Sequence, residues 1–95
     1  MLNRHSCETA YTRDLEQVFA TQRWCRLCSI YGLSTREREM AELIVRGLSS
    51  RQIAAVFDCS VANVTAIRTR VYRKLAVRGG AEAIGLLLCR LLVEE

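Results

Sequence analysis

The sequence predicts an all-α fold: four helices joined by tight turns, with one extra helix ahead of them. Three observations predict it. The 95 residues contain no proline, where average composition would supply roughly five. Apolar residues recur at three- to four-residue spacing, and no stretch shows useful strand-type alternation. Glycine and serine punctuate these blocks at positions suited to helix ends. Apolar residues make up 51% and charged residues 25% of the chain, which are ordinary globular values and exclude wholesale disorder. A chain this short holds one domain, or one domain plus an arm.

The first helix is expected from about Thr12 to Tyr31, with Leu15, Val18, Phe19, Cys25 and Cys28 on one face and Asp14 and Glu16 in its first turn. Gly32 ends it. Ser34-Thr35-Arg36-Glu37 is a capping box that opens the second helix. Met40, Leu43, Ile44 and Leu48 form its apolar stripe, and Gly47 stands where a left-handed cap is needed. Ser49-Ser50-Arg51-Gln52 opens a short helix with Ile53, Ala54 and Phe57 inward. After Asp58 and Cys59, Ser60 caps a longer helix whose inner side is Val61, Val64, Ile67, Val71 and Leu75. Gly79-Gly80 then separates a last helix from about Ala81 to Val93. The domain boundaries follow: residues 1–31 form an N-terminal arm and helix, and 32–95 form the main domain.

The net charge of +4 is unevenly placed. From Arg51 to Arg78 there are six basic residues against the single acid Asp58, so that segment is +5 and the remainder is −1. A concentrated basic stretch is the footprint of a phosphate-binding surface, although a solvated helix face would carry the same charge. The chemistry of catalysis is missing. There is one histidine, no glycine-rich phosphate loop, no cofactor-binding signature and no paired-carboxylate arrangement, so an enzyme is not expected. The longest apolar run, Ala83 to Cys89, is too short to span a bilayer, and the polar N-terminus does not support secretion.

A short helix, a tight turn and a longer basic helix are the parts of a helix-turn-helix. Ala54-Ala55 are small enough for the second helix to cross the first closely. On the longer helix Ala62, Ala66, Thr69, Arg70 and Arg73 point outward, with Thr65 at the flank.

The stretch from Leu33 to Ile84 resembles the LuxR/GerE-type DNA-binding domain of bacterial transcription regulators. The matching residues are Leu33-Ser34-Thr35-Arg36-Glu37-Arg38-Glu39 and Gly47-Leu48-Ser49-Ser50-Arg51-Gln52-Ile53-Ala54. Ser60, Val64, Lys74-Leu75-Ala76-Val77 and Glu82-Ala83 complete the match, in order and without gaps. The resemblance implies four helices, DNA binding through the third and dimerisation through the fourth. It places base contacts on Thr65, Ala66 and Thr69, with Arg70 added because it points outward. It places phosphate contacts on Ser49, Ser50, Arg51, Arg73 and Lys74. Arg73 and Lys74 are also charges that a helix C-terminus favours on its own. The chain departs from the family at Thr65, commonly basic, at Ile67, commonly histidine, and at Arg68, commonly apolar. Gly79-Gly80 stands where the family carries Asn-Arg. Arg68 falls toward the buried edge, where it is expected to snorkel or pair with an acid. Ser34, Glu37 and Gln52 read as caps with no role beyond stability.

The last helix is apolar on nearly all sides, and a terminal helix of a small domain buries only one face internally. The favoured reading is a homodimer through Ile84, Leu87, Leu88, Leu91 and Leu92, with the N-terminal helix adding cover. Packing within one chain is the alternative. His5, Cys7, Cys25 and Cys28 have the spacing for a tetrahedral zinc site, and Trp24-Cys25-Arg26-Leu27-Cys28 superficially echoes a redox dithiol. Cys25 and Cys28 read more simply as core fillers, as do Cys59 and Cys89, so no metal or other cofactor is expected. The five cysteines fit reduced thiols in a cytosol.

The leading function is that of a small stand-alone cytoplasmic transcription regulator, nucleoid-associated when bound, that grips double-stranded DNA as a dimer through Val61–Val77. The residues ahead of the match are too few for a receiver or ligand-binding domain. Control would then come from abundance, a partner protein or the N-terminal helix. The alternative is a helix-turn-helix-derived interaction module that sequesters another regulator or docks on RNA polymerase.

Overall fold

The computed structural model describes residues 16–93, which are all-helical. A helical segment at residues 16–20 is followed by α1 (Gln22–Ile30), α2 (Thr35–Val45), α3 (Ser50–Phe57), α4 (Val61–Leu75) and α5 (Gly80–Val93).

Hydroxyl caps open α2, α3 and α4. The Ser34 hydroxyl accepts from the Glu37 amide at 3.2 Å, and the Glu37 carboxylate accepts from the Ser34 amide at 2.8 Å. Ser49 and Gln52 repeat the pattern at 3.2 and 2.8 Å. Ser60 accepts from the Asn63 amide at 3.1 Å. Each such cap satisfies an otherwise orphaned N–H and contributes about 1 kcal/mol.

Left-handed residues end the helices. Gly47 has φ +86°, as the sequence leads one to expect. Asp58 and Ala76 also have positive φ, 53° and 59°, without glycine's freedom. Both are locked by two-sided caps. Cys59 donates to the Ala54 carbonyl and Val77 to the Tyr72 carbonyl, each at 3.0 Å.

The expected helix from Thr12 to Tyr31 is interrupted. Residues 12–15 lie outside the described residues. At Thr21 the backbone is extended (φ −83°, ψ 155°), and its hydroxyl accepts from the Trp24 amide. The same hydroxyl donates to the Val18 carbonyl at 2.7 Å. Thr21 therefore ends one helix and caps the next. The break rephases the chain, so that Trp24, Leu27 and Cys28 are buried. Cys25, about 100° from Trp24 on the helix, is exposed. Cys89 is exposed as well, whereas Cys28 is a core filler and Cys59 packs half-buried against the same core. Burial pushes the Cys28 thiol up to about 12.

The core forms where the helices meet. α2 packs on both α4 and α5, α3 packs on α4, and α1 packs on α5. Met40, Ala41, Ile53, Val64, Val71, Ala83 and Leu87 have no exposed surface. Ala54 is buried at the α3–α4 crossing, whereas Ala55 faces solvent. Val61, expected inward, is 44% exposed because it precedes the packed turn of α4 that begins at Val64. Phe19, Trp24, Leu27 and Cys28 join the same buried cluster, with Trp24 edge-on to Phe19 at 4.9 Å. The core thus crosses the expected boundary at residues 31 and 32.

α5 uses Ala83 and Leu87, one turn apart, to enter that core. Leu87, expected at a subunit interface, is therefore occupied within its own chain and has no surface for a partner. Ile84, Leu88 and Leu91 are half-buried against the core, and Leu92 is 81% exposed. α1 covers part of α5, where Arg23 donates to the Leu91 carbonyl at 2.6 Å. No described helix is long and apolar enough to cross a membrane.

Candidate nucleic-acid interface

α4 has a buried spine of Val64, Val71 and Leu75 and an exposed face of Ala62, Thr65, Ala66, Thr69, Arg70 and Arg73. Arg51 is exposed in the first turn of α3. Ser49 caps α3, so its hydroxyl and that helix's free amides stand at the same end. The expected base-reading residues share the exposed face of α4, and the expected phosphate-binding residues are divided between the start of α3 and the last turn of α4, in two different electrostatic states.

Arg51 and Arg73 stand outward. Lys74 and Arg70 are drawn inward by Glu37. The Lys74 ammonium donates to the Glu37 carboxylate at 2.7 Å and to the Gly32 carbonyl at 3.0 Å. Arg70 approaches the other carboxylate oxygen at 3.5 Å. The Glu37 side chain is only 5% exposed, whereas Lys74 and Arg70 remain 40% and 55% exposed. Burial alone would raise the Glu37 carboxyl. The hydrogen bonds from Lys74 and Ser34 outweigh it and hold the carboxyl below its usual value of 4.5. The sequence marks Glu37 only as a cap. Its second role as a bridge between α2 and α4 joins residues far apart in the chain, and no local spacing signals it.

Arg68, expected to snorkel or to pair with an acid, makes no ion pair among the described residues. It is half-buried, donating to the Ser50 hydroxyl at 2.9 Å and twice to the Tyr72 hydroxyl, at 2.6 and 3.0 Å. It also lies over the Tyr72 ring at 5.6 Å. Ser50, an expected phosphate contact, is thereby engaged by Arg68. The guanidinium reaches the start of α5 as well. A Cβ on Gly80 would lie 3.4 Å from both Arg68 Nη2 and the Tyr72 hydroxyl.

The threonines are also partly committed. Thr65 donates its hydroxyl proton to the Val61 carbonyl at 3.0 Å, and Thr69 donates to the Thr65 carbonyl at 2.8 Å. In these rotamers their oxygens remain as acceptors, which suits a base amino group.

Beside this face, Arg36, Cys59, Asn63, Ala66, Ile67 and Arg70 line a shallow depression of about 230 Å³. Arg36 stacks on Phe57 at 4.1 Å and pairs with Glu39 at 3.2 Å. Arg36 and Asn63 were not among the expected site residues. The helical wheel carries the signal for Asn63, about 20° from Arg70. For metal binding, His5 and Cys7 lie outside the described residues. Among those described, no three His, Cys, Asp or Glu side chains gather in a ligand set.

Residues 31–87, more than half of the chain, match the family of bacterial regulatory proteins described as the luxR family, or GerE. No curated protein and no solved structure matches the chain. The match covers every element from the capping box of α2 through the buried turn of α5, and the helix-turn-helix lies at its centre. This chain belongs to the luxR family of bacterial DNA-binding transcription regulators.

Proposed function

We propose that the chain regulates transcription by binding double-stranded DNA as a homodimer, in the cytoplasm, with α4 laid in the major groove. The observation that carries this reading is the exposed face of α4. It presents Thr65, Ala66 and Thr69 for base edges, flanked by Arg73 and by Arg51 on α3 for phosphates. Ser49 and Ser50 add the polar N-terminus of α3, and Arg70 and Lys74 add positive potential beside Glu37. The second subunit is proposed against α5 at Ile84, Leu88, Leu91 and Leu92, the expected interface residues that keep some exposed surface. Symmetric half-sites about one DNA turn apart follow from a two-fold arrangement.

Fluorescence anisotropy with duplex DNA across a salt series tests the reading. Phosphate-led binding falls linearly on a log–log plot, and Arg73→Ala should reduce the slope by about one. Absent or salt-insensitive binding would overturn it. The draw of Glu37 on Arg70 and Lys74 favours a second reading, an interaction module docking on a regulator or RNA polymerase. Retention of such a partner by a chain with no duplex affinity would support that instead.

A further inference from the structure

We infer that Asn63 reads an adenine base in the half-site, with Ala66 beside it against a thymine methyl. The inference rests on the DNA-binding reading above and adds a specificity-determining residue to it. The N-terminal residues of a recognition helix are those that reach base edges, and Asn63 is the third residue of α4. Its backbone amide is tied to the Ser60 hydroxyl at 3.1 Å, which fixes where the side chain starts.

The other polar candidates in this part of α4 are partly spent. Thr65 and Thr69 donate to carbonyls of their own helix, and Arg70 leans to Glu37. The Asn63 carboxamide makes no hydrogen bond within the described residues, so both its donor and its acceptor remain available, on the rim of the depression it shares with Ala66. A carboxamide with both functions free matches adenine N7 and N6 in the major groove. Ala66 lies one turn further along the helix, exposed, and offers only a methyl group, the complement of a thymine methyl. Together they select A·T pairs.

The test is selection from a pool of duplexes randomised over the half-site, using the full chain, Asn63→Ala and Asn63→Asp. Anisotropy then follows on the winning duplex with each adenine replaced in turn by 7-deazaadenine. The native chain should fix an adenine at one position and lose affinity severalfold when that N7 is removed. Asn63→Ala should lose about 10- to 100-fold discrimination there and become indifferent to the N7. Asn63→Asp introduces an acid into the first turn, which favours the helix, and should move the preference to cytosine. Circular dichroism melting of both variants separates lost readout from lost fold. Identical base preferences in the native chain and a folded Asn63→Ala would overturn the inference while leaving DNA binding standing. A native chain that binds no duplex would overturn the DNA-binding reading and this inference with it.

Discussion

The two flanks of α4 are braced by opposite chemistry. On the flank toward α2, a buried carboxylate, Glu37, gathers two cations, Lys74 at 2.7 Å and Arg70 at 3.5 Å. On the flank toward α3, a half-buried cation, Arg68, gathers two hydroxyls, Ser50 and Tyr72. The first brace places a charge of fixed sign next to the proposed DNA surface and withdraws part of that surface's positive potential. The second engages the Ser50 oxygen only as an acceptor, so its proton stays free for a phosphate, and leaves the outward arginines alone. Stability and binding are therefore coupled on one flank and nearly separate on the other.

Substitutions can break this contrast. Glu37→Ala removes half of the capping box and leaves Lys74 without its carboxylate partner. Both cations are half exposed and regain water, so the expected loss is about 2 kcal/mol rather than the larger cost of a fully buried pair. Chemical denaturation midpoints measure it, and a Glu37–Lys74 double-mutant cycle should show coupling of about 1 kcal/mol. A cycle near zero would reduce Glu37 to the cap that its local sequence suggests.

pH sharpens the contrast further. The folded Glu37 carboxyl titrates below 4.5, so its contribution is complete above that value. It fades as pH falls through the lowered folded value. An acid titration of the melting temperature should therefore be shallower in Glu37→Gln than in the native chain. Arg68→Met should leave that pH profile unchanged and cost about 1 kcal/mol, since Ser50 and Tyr72 are not fully buried and water replaces the guanidinium. The smallest effect is expected at Ala76, which belongs to neither brace. Ala76→Gly relieves a left-handed alanine (φ 59°) and should stabilise the fold by about 0.5 kcal/mol, the strain relief being partly offset by chain entropy. A loss of stability there would mean that the alanine methyl packs more usefully than its backbone position implies.

Much of this architecture is legible locally. The Ser34–Glu37 and Ser49–Gln52 boxes, the left-handed Gly47 and the spine of α4 depend on spacings of a few residues, and the chain obeys them. What escapes is non-local or locally ambiguous. Thr21 is a tolerable helix residue as well as a cap, so nothing in its neighbourhood announces the break that turns Cys25 outward. Ala76 ends α4 without the glycine that usually marks such a site. Leu87 is one of many apolar residues on α5, and only the packing of α2 and α4 decides that it points inward while Leu92 points out. The outward surface of α4 follows from its period, whereas the engagement of Lys74, Arg70 and Ser50 follows from partners on α2 and within α4.

The glycine at 80 lets α5 begin close beside the Arg68 guanidinium. A Cβ at 80 would stand 3.4 Å from both the Arg68 guanidinium and the Tyr72 hydroxyl, at the near edge of ordinary van der Waals contact. A side chain at 80 would meet the far ends of two flexible side chains, so the start of α5 and the Arg68 brace are neighbours in packing.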